Sequence, residues 1–203
     1  MIIKTKYKLC RRLGVGIFEK CQTQKFTLSE AKKSGNRRLK RRKMPSEYGS
    51  QLIEKQKLRF AYGLREKQLS RYVKEALLNK DANITESLYT RLETRLDNVV
   101  YRLGLASTRA MARQMVSHGH IVLNKRKVTV PSCRVKMGDK IYIRKGSEDK
   151  GVFAELKEKS KAKASVDWLT FNLPKKEGSM IGLPKLKSQE IFDFKSILEF
   201  YGR

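Results

Sequence analysis

A regular pattern of apolar residues between positions 91 and 117 most limits the folds that this chain can adopt. Apolar side chains recur there at spacings of three and four, which predicts two amphipathic helices in succession, each ended by a glycine. The first run consists of Leu92, Leu96, Val99, Val100 and Leu103, followed by Gly104. The second run is capped by Ser107 or Thr108 and consists of Met111, Ala112, Met115 and Val116, followed by Gly119. We therefore predict two short helices joined by a tight turn.

A small antiparallel sheet is predicted directly after these helices. Runs rich in β-branched residues predict strands at 121–123, 127–130 and 140–143. Asn124 and Lys125 supply the hairpin turn, and Pro131 ends the second strand because proline cannot donate to a sheet. The predicted fold class is α+β, with two helices on a small twisted antiparallel sheet.

Polar and basic side chains share one side of both predicted helices. The ridge on the first helix consists of Arg91, Arg95, Asn98 and Arg102, and the ridge on the second consists of Arg109, Arg113 and Ser117. A guanidinium reaches phosphate oxygens with a planar fork of donors, and a helix N-terminus adds backbone N–H groups. The pattern therefore predicts a surface that contacts a phosphate backbone.

The charge of the chain also indicates a polyanionic partner. The 47 Lys and Arg residues outnumber the 20 Asp and Glu residues, the formal net charge is +27, and a dense basic block runs from Lys32 to Lys43. Cations that neutralise phosphates release counterions, which drives binding. Aromatic residues make up only 8% of the chain, whereas single-stranded RNA is bound by exposed aromatic side chains. We therefore expect shaped, double-stranded or junction-like RNA.

Membrane binding is a weak alternative, because the sequence has no run of about 18 apolar residues and no signal-peptide pattern. The odd cysteine count (Cys10, Cys21 and Cys133) predicts a reducing compartment and argues against a disulfide framework.

The rest of the sequence predicts a helical domain interrupted by the α+β segment. Helices are expected within residues 48–90, with Ser46 and Thr85 as N-caps. The tail carries a helical stripe that we expect to dock on this bundle, formed by Ile191, Phe194, Ile197, Leu198 and Tyr201. An edge strand is expected at residues 168–171. The predicted domains are a basic, loosely structured N-terminal extension (1–47), a helical bundle domain (48–90 and 150–203) and an inserted RNA-binding domain (91–149).

Several segments of this sequence resemble those of a known protein family. Residues 95–104, 107–110 and 112–118 are similar to the α-L RNA-binding motif, and more narrowly to bacterial-type small-subunit ribosomal protein four. The resemblance extends to residues 48–57, 72–76, 168–169, 177–178 and 199–203, and more loosely to residues 4–20. It implies a structural protein of the small ribosomal subunit that binds a helical junction of the ribosomal RNA 5′ domain and nucleates assembly. It also implies contacts with neighbouring ribosomal proteins, a place beside the messenger RNA channel and an effect on decoding accuracy.

The resemblance and the charge together define the candidate RNA-binding residues. The resemblance implies contacts at Arg91, Arg95, Arg102, Thr108, Arg109, Arg113, Gln114, Ser117, His118 and Asn124. The basic character of the hairpin, the bundle and the N-terminal block adds Arg126, Lys55, Lys57, Arg59, Lys67, Arg71, Arg37, Arg38, Arg41 and Arg42.

The chain departs from the family pattern at two places. Lys125 replaces the usual glycine of the hairpin turn, and the N-terminus lacks the four-cysteine zinc cluster of some relatives. We expect no metal, no other cofactor and no catalytic residue.

Other functions stay open on the sequence alone. Arg95-Leu96-Asp97 also resembles the catalytic motif of some pseudouridine synthases, which often carry an α-L module. Here the motif continues into an amphipathic helix, which favours Asp97 as a helix-surface acid that pairs with a nearby arginine. The alternatives are therefore an RNA-modifying enzyme of that kind, an accessory RNA-binding factor or a DNA-binding regulator. For the leading interpretation, we expect a bacterial cytoplasmic or an organellar ribosome.

Overall fold

The computed structural model of the chain describes residues 5–35, 46–78, 83–147, 166–172, 174–186 and 191–202. They form two compact units. Unit 1 comprises Met1–Glu75 and Gln189–Arg203, and unit 2 comprises Ala76–Ser188. The first and last parts of the chain therefore belong to the same unit.

The predicted α+β class is confirmed by the helices and strands of the two units. The helices are α1 (Lys6–Leu13), α2 (Gln24–Gly35), α3 (Glu47–Ala61), α4 (Glu66–Leu78), α5 (Ile84–Glu93), α6 (Leu96–Arg102), α7 (Arg109–Ser117) and α8 (Phe194–Gly202). The strands are β1 (Ile121–Leu123), β2 (Arg126–Lys127), β3 (Lys140–Ile143), β4 (Leu169–Asn172) and β5 (Glu177–Met180). Short 3-10 turns lie at Glu19–Cys21 and Lys145–Ser147. Of the helices in the described ranges, none has the length and apolar character needed to cross a bilayer.

Of the two N-caps predicted for the helical bundle, one is correct and one is wrong. The Ser46 hydroxyl accepts a hydrogen bond from the N–H of Gly49 at the start of α3, as predicted. At the start of α5 the cap is Asn83, whose side chain accepts from the N–H of Thr85. The predicted cap at Thr85 is therefore wrong, because an asparagine two residues earlier satisfies the same free N–H groups.

The C-terminal helix α8 packs on α3, which confirms the predicted docking of the tail. Ile191 does not belong to the docked stripe as predicted, because it precedes α8 and is exposed. Phe194 and Ile197 are buried in α8. The hydroxyl of Tyr201 donates to Glu66 Oε1 at 2.7 Å. Burial raises the pKa of Glu66, but hydrogen bonds from Lys55 and Tyr201 outweigh it, so its pKa lies below the ordinary value. Apolar burial and a charge-assisted contact thus hold α8 in unit 1.

The N-terminal segment is more regular than predicted. In place of a loosely structured extension, residues 5–35 form α1, a 3-10 turn and α2, with a small core of Cys10, Phe18 and Cys21. Burial, reinforced by the neighbouring Cys10 thiol, raises the pKa of Cys21 to about 12. The core is difficult to predict from the sequence because lysines and arginines occupy half of the positions in α1.

Unit 2 contains a five-stranded antiparallel sheet in the order β2-β1-β3-β5-β4. The predicted edge strand is confirmed as β4. β3 lies between β1 and β5, with Val122 opposite Tyr142 on one side and Ile141 opposite Gly178 on the other. Strand β5 was missed because its sequence, Glu-Gly-Ser-Met, has low strand propensity.

Strands β4 and β5 belong to a different unit from the one that the predicted domain boundaries give them. The sequence analysis grouped residues 150–203 with the helical domain, whereas β4 and β5 complete the sheet of unit 2. The physical reason is that both edges of the central strand β3 carry backbone groups that need partners, and β5 supplies them on the second edge.

One hydrophobic core joins α6 and α7 to this sheet. Val100 of α6, Val116 of α7 and Ile141 of β3 are all fully buried in it. Most residues predicted to face the core from the two helices, including Ala112 and Met115, are buried there as expected. Met111 is only partly buried, and Leu92 is buried on α5 outside this core. The core therefore fixes the positions of the two helices that carry the candidate site.

Gly178 of β5 lies directly against this core. A Cβ atom added at Gly178 would lie 2.6 Å from Cδ1 and 3.2 Å from Cδ2 of Leu103, which is itself buried. Replacing Gly178 by alanine is expected to lower the free energy of unfolding of unit 2 by about 1–3 kcal/mol, because Leu103 must move within a packed core. Urea denaturation followed by the fluorescence of Trp168, the only tryptophan, measures this. Gly146 has open space around its Cα, so Gly146→Ala is the control; equal stabilities of the two variants would contradict the prediction.

Candidate nucleic-acid interface

The helix predicted from residue 91 onward is interrupted at Thr94 and Arg95. α5 ends before this pair and α6 begins after it. The N–H of Leu96 donates to the carbonyl of Cys133, and the N–H of Val135 donates to the carbonyl of Thr94, both at 2.8 Å. A β-bridge between Arg95 and Arg134 thus interrupts the helix for two residues.

This interruption changes the predicted basic ridge. Arg91 lies on α5 and is half-buried, whereas Arg102 lies at the end of α6. Arg95 lies between the two helices and is only 3% exposed. The prediction of one continuous ridge through all three arginines is therefore wrong, because they do not belong to one helix.

Glu93 is a buried acid that pairs with arginines of both α6 and α7. Its side chain is 0% exposed. Arg102 donates from Nε to Oε2 at 2.8 Å and from Nη2 to Oε1 at 3.0 Å. Arg109 places its Nη2 4.0 Å from Oε1 and donates from Nε to Oδ1 of Asn98 at 2.8 Å. The Asn98 amide donates in turn to the backbone carbonyl of Glu93 at 3.1 Å.

Asp97 forms a second acidic centre beside the first. Arg95 donates to both of its oxygens, at 3.0 Å from Nε and 2.8 Å from Nη2. Arg113 of α7 donates to Oδ2 from Nε at 2.9 Å and from Nη2 at 2.7 Å. The predicted pairing of Asp97 with an arginine is confirmed. Its predicted place on the helix surface is wrong, because only 3% of the residue is exposed.

The two centres leave three guanidinium groups at the surface. The side chains of Arg102, Arg109 and Arg113 are 26%, 21% and 22% exposed. Arg109 also lies over the ring of Tyr101, with Cζ 4.6 Å from the centroid. With Arg95 included, four arginines face two carboxylates, so this arginine cluster keeps a net positive charge. Such a cluster suits binding to phosphate oxygens.

The remaining predicted residues of α7 lie along its exposed side. Of the two predicted caps, Ser107 and Thr108, it is Thr108 that caps the helix, by accepting from the N–H of Met111. Gln114, Ser117 and His118 are exposed on the side of α7 that leads to its C-terminus. The Ser117 hydroxyl donates to the carbonyl of Arg113 at 2.9 Å. These side chains extend a polar surface away from the arginine cluster.

The hairpin tip carries exposed cations and a turn with unusual backbone angles. Asn124 has φ 47° and Lys125 has φ 68°, so both central residues lie in the left-handed region expected of a type I′ turn. The turn therefore keeps the geometry of a type I′ turn although a lysine occupies its second central position. Asn124 binds Asp139 and the N–H of Lys140, while Lys125 and Arg126 are exposed. The returning strand is shorter than predicted and ends at Lys127.

Replacing Lys125 by glycine is expected to stabilise unit 2 by about 0.5–1 kcal/mol. A side chain in the left-handed region costs about 1–2 kcal/mol, part of which glycine loses again through its greater freedom in the unfolded chain. Urea denaturation followed by Trp168 fluorescence measures the change. Lys127→Gly in β2 is the matched control and is expected to lower stability. A lower stability of Lys125→Gly would contradict the prediction.

The candidates in unit 1 differ in their accessibility. Lys55 is 7% exposed, donates to Glu66 at 2.9 Å and lies 4.2 Å from the centroid of the Phe200 ring. The charge of Lys55 therefore serves the packing of α8, and its predicted contact with RNA stays a prediction. The other bundle candidates comprise the half-buried, acid-paired Lys57 and Arg59 and the exposed Lys67 and Arg71.

The predicted contacts at Arg37, Arg38, Arg41 and Arg42 lie outside the described residues. The sequence analysis did not predict Glu93 as a site residue, although its position in the apolar pattern marks it as buried. Glu93 shares the spacing of the apolar stripe with Leu96 and Val100, so an acid stood where a buried residue was expected. Within the described ranges, no three His, Cys, Asp or Glu side chains form a group that could hold a metal ion.

Comparisons with known proteins agree along nearly the whole chain. Residues 2–93 match the family model described as the ribosomal protein S4/S9 N-terminal domain, and residues 94–141 match the S4 domain. The small ribosomal subunit protein uS4 of Syntrophomonas wolfei is 40% identical over 96% of this chain and 95% of its own length. The uS4 proteins of Halothermothrix orenii and Thermotoga petrophila are 41% and 36% identical, each over 97% of this chain and 96% of their own length.

Proposed function

Because this chain belongs to the small ribosomal subunit protein uS4 family, we propose that its arginine cluster binds a helical junction in the 5′ domain of the small-subunit ribosomal RNA. The chain is a structural protein of the ribosome and not an enzyme. Its partners are ribosomal RNA and other ribosomal proteins. The alternative of an RNA-modifying enzyme is not favoured, since the near-full-length relatives carry the ribosomal name.

The observation that carries the proposal is the pair of helices that present fixed guanidinium groups. Arg102 is held at the end of α6, and Arg109 and Arg113 are held on α7, all in unit 2. Planar forks in fixed positions match phosphate oxygens that are themselves in fixed positions, as in a folded junction. The exposed cations Lys125 and Arg126 of the hairpin add to the positive surface of the same unit.

We further propose that binding at this junction nucleates the assembly of the small subunit. The same protein lies beside the messenger RNA channel, contacts neighbouring small-subunit proteins and contributes to decoding accuracy. The high net charge of +27 supports the RNA contacts among these roles, because cations that neutralise phosphates release counterions.

The test is binding of the full chain to a ribosomal RNA fragment that contains the 5′-domain junction. Transfer RNA and duplex DNA serve as competitors across a series of salt concentrations. We expect a steep salt dependence together with a preference of at least about a hundredfold for the junction. A steep salt dependence without preference would show charge attraction alone and would overturn the proposal.

A further inference from the structure

Two acids lie beneath a surface whose proposed ligand is a polyanion. The side chains of Glu93 and Asp97 are 0% and 4% exposed. Each negative charge repels phosphate and is also costly to bury unless it is paired. Leucine or methionine would fill these positions without either cost. Their presence here indicates a function for the carboxylates themselves.

We propose that Glu93 and Asp97 are positioning residues that hold Arg102, Arg109 and Arg113 in the orientation that recognises folded RNA. The inference rests on the proposed function, because it concerns the same surface. Glu93 pairs with Arg102 and Arg109, and Asp97 pairs with Arg95 and Arg113, so the acids act on RNA through arginines.

Glu93 orients one arginine from each helix. Both of its oxygens accept from the Arg102 fork, at 2.8 and 3.0 Å, which fixes the plane of that guanidinium. Asn98 is anchored on the backbone carbonyl of Glu93 and accepts from Arg109 Nε at 2.8 Å. The acid and its own backbone therefore set two guanidinium groups that belong to different helices.

Asp97 orients the third arginine and is itself anchored from within. The buried Arg95 holds both oxygens of Asp97, while Arg113 reaches Oδ2 with two donors at 2.9 and 2.7 Å. Arg95 is buried too deeply to take part in recognition, and its pairing with Asp97 gives it a structural function. It fixes the acid that fixes Arg113.

The energetic reason is that arginine side chains lose much freedom when RNA immobilises them. A guanidinium already held in one plane loses less freedom on binding, so more of its interaction energy remains as affinity. A junction places its phosphates at fixed relative positions, whereas the charges of a flexible side chain reach any duplex equally well. Positioning therefore raises the preference for the junction as well as the affinity.

The test uses Glu93→Gln, because charge and positioning predict opposite signs. Removal of one negative charge beneath the surface would by itself strengthen binding to a polyanion. Loss of the Arg102 and Arg109 orientation is expected instead to weaken binding to junction RNA about tenfold. Binding to duplex RNA is expected to change by less than about twofold. The ratio of the affinities for junction and duplex RNA therefore decreases.

Two further variants separate positioning from a general loss of stability. Ile141→Val removes one methyl group from the core of unit 2 without touching the acids and is the stability control. Arg102→Lys keeps the charge but removes the fork, so adding Glu93→Gln to it is expected to cost less than Glu93→Gln costs alone.

The outcomes are distinct. Weaker junction binding by Glu93→Gln, together with coupling to Arg102→Lys, supports the inference. Unchanged or stronger junction binding overturns it, and so does an equal loss of preference in Ile141→Val. If the unaltered chain shows no preference for the junction, the proposed function itself fails and the inference fails with it.

Discussion

Replacing Arg102, Arg109 and Arg113 together by lysine is expected to lower the affinity for junction RNA about a hundredfold while the formal net charge stays at +27. Each lysine offers a point charge where the arginine offered a planar fork, so each phosphate contact loses about one hydrogen bond. Three such losses of about 1 kcal/mol correspond to roughly a hundredfold in affinity. Filter binding or fluorescence anisotropy at one fixed salt concentration measures the change.

The matched control is Arg144→Lys, an equally conservative change at an exposed position beyond the end of β3. We expect this control to bind junction RNA as the unaltered chain does. The salt dependence of the triple variant is expected to stay nearly the same, because it depends on the number of charges. An affinity loss below about threefold would mean that the guanidinium geometry is not used.

Replacing Ile197 by alanine is expected to destabilise unit 1 by about 2–5 kcal/mol. Ile197 is fully buried in α8, which packs on α3, so its truncation leaves a cavity in a small core. The two units can be followed separately, because the single tryptophan, Trp168, belongs to unit 2. We expect helix loss by circular dichroism at lower urea concentration than the change in tryptophan fluorescence.

The control for this prediction is Ile191→Ala, since Ile191 precedes α8 and is 61% exposed. Its effect on the free energy of unfolding is expected to stay within about 0.5 kcal/mol. If Ile197→Ala leaves the free energy of unfolding unchanged, the prediction that the packing of α8 stabilises unit 1 is contradicted.

The low pKa of Glu66 makes the stability of unit 1 depend on pH. Because this pKa is lower in the folded chain, its contribution is present at neutral pH and is lost as the pH falls below the ordinary glutamate value of 4.5.

Local signals in the sequence predicted much of the fold. The sequence predicts a cap at Ser46 and another at Ser107 or Thr108, because a hydroxyl before an apolar run satisfies free N–H groups, and the structure selects Thr108 for the second. The tail helix was recognised because an apolar stripe without a partner must be buried somewhere, and α3 is that partner.

The signals that were missed depend on distant contacts. The interruption at Thr94 follows from backbone hydrogen bonds to a segment almost forty residues away, which no helical spacing reveals. The burial of Lys55 depends on the aromatic ring of Phe200 at the far end of the chain. A lysine on a helix has the same spacing whether it meets phosphate or a ring, so charge counting placed it at the surface.

The division of unit 1 between the two ends of the chain has a consequence for synthesis. Translation adds about 5–20 residues per second, so α3 is complete on the order of ten seconds before α8 exists. Every strand of unit 2 is made during that interval, because its segments are continuous in the chain. Unit 2, with its arginine cluster, can therefore fold on the nascent chain before α8 is made. During this time α3 still exposes the apolar side that α8 later covers. Unit 1 is therefore completed only when the last residues of the chain have been made.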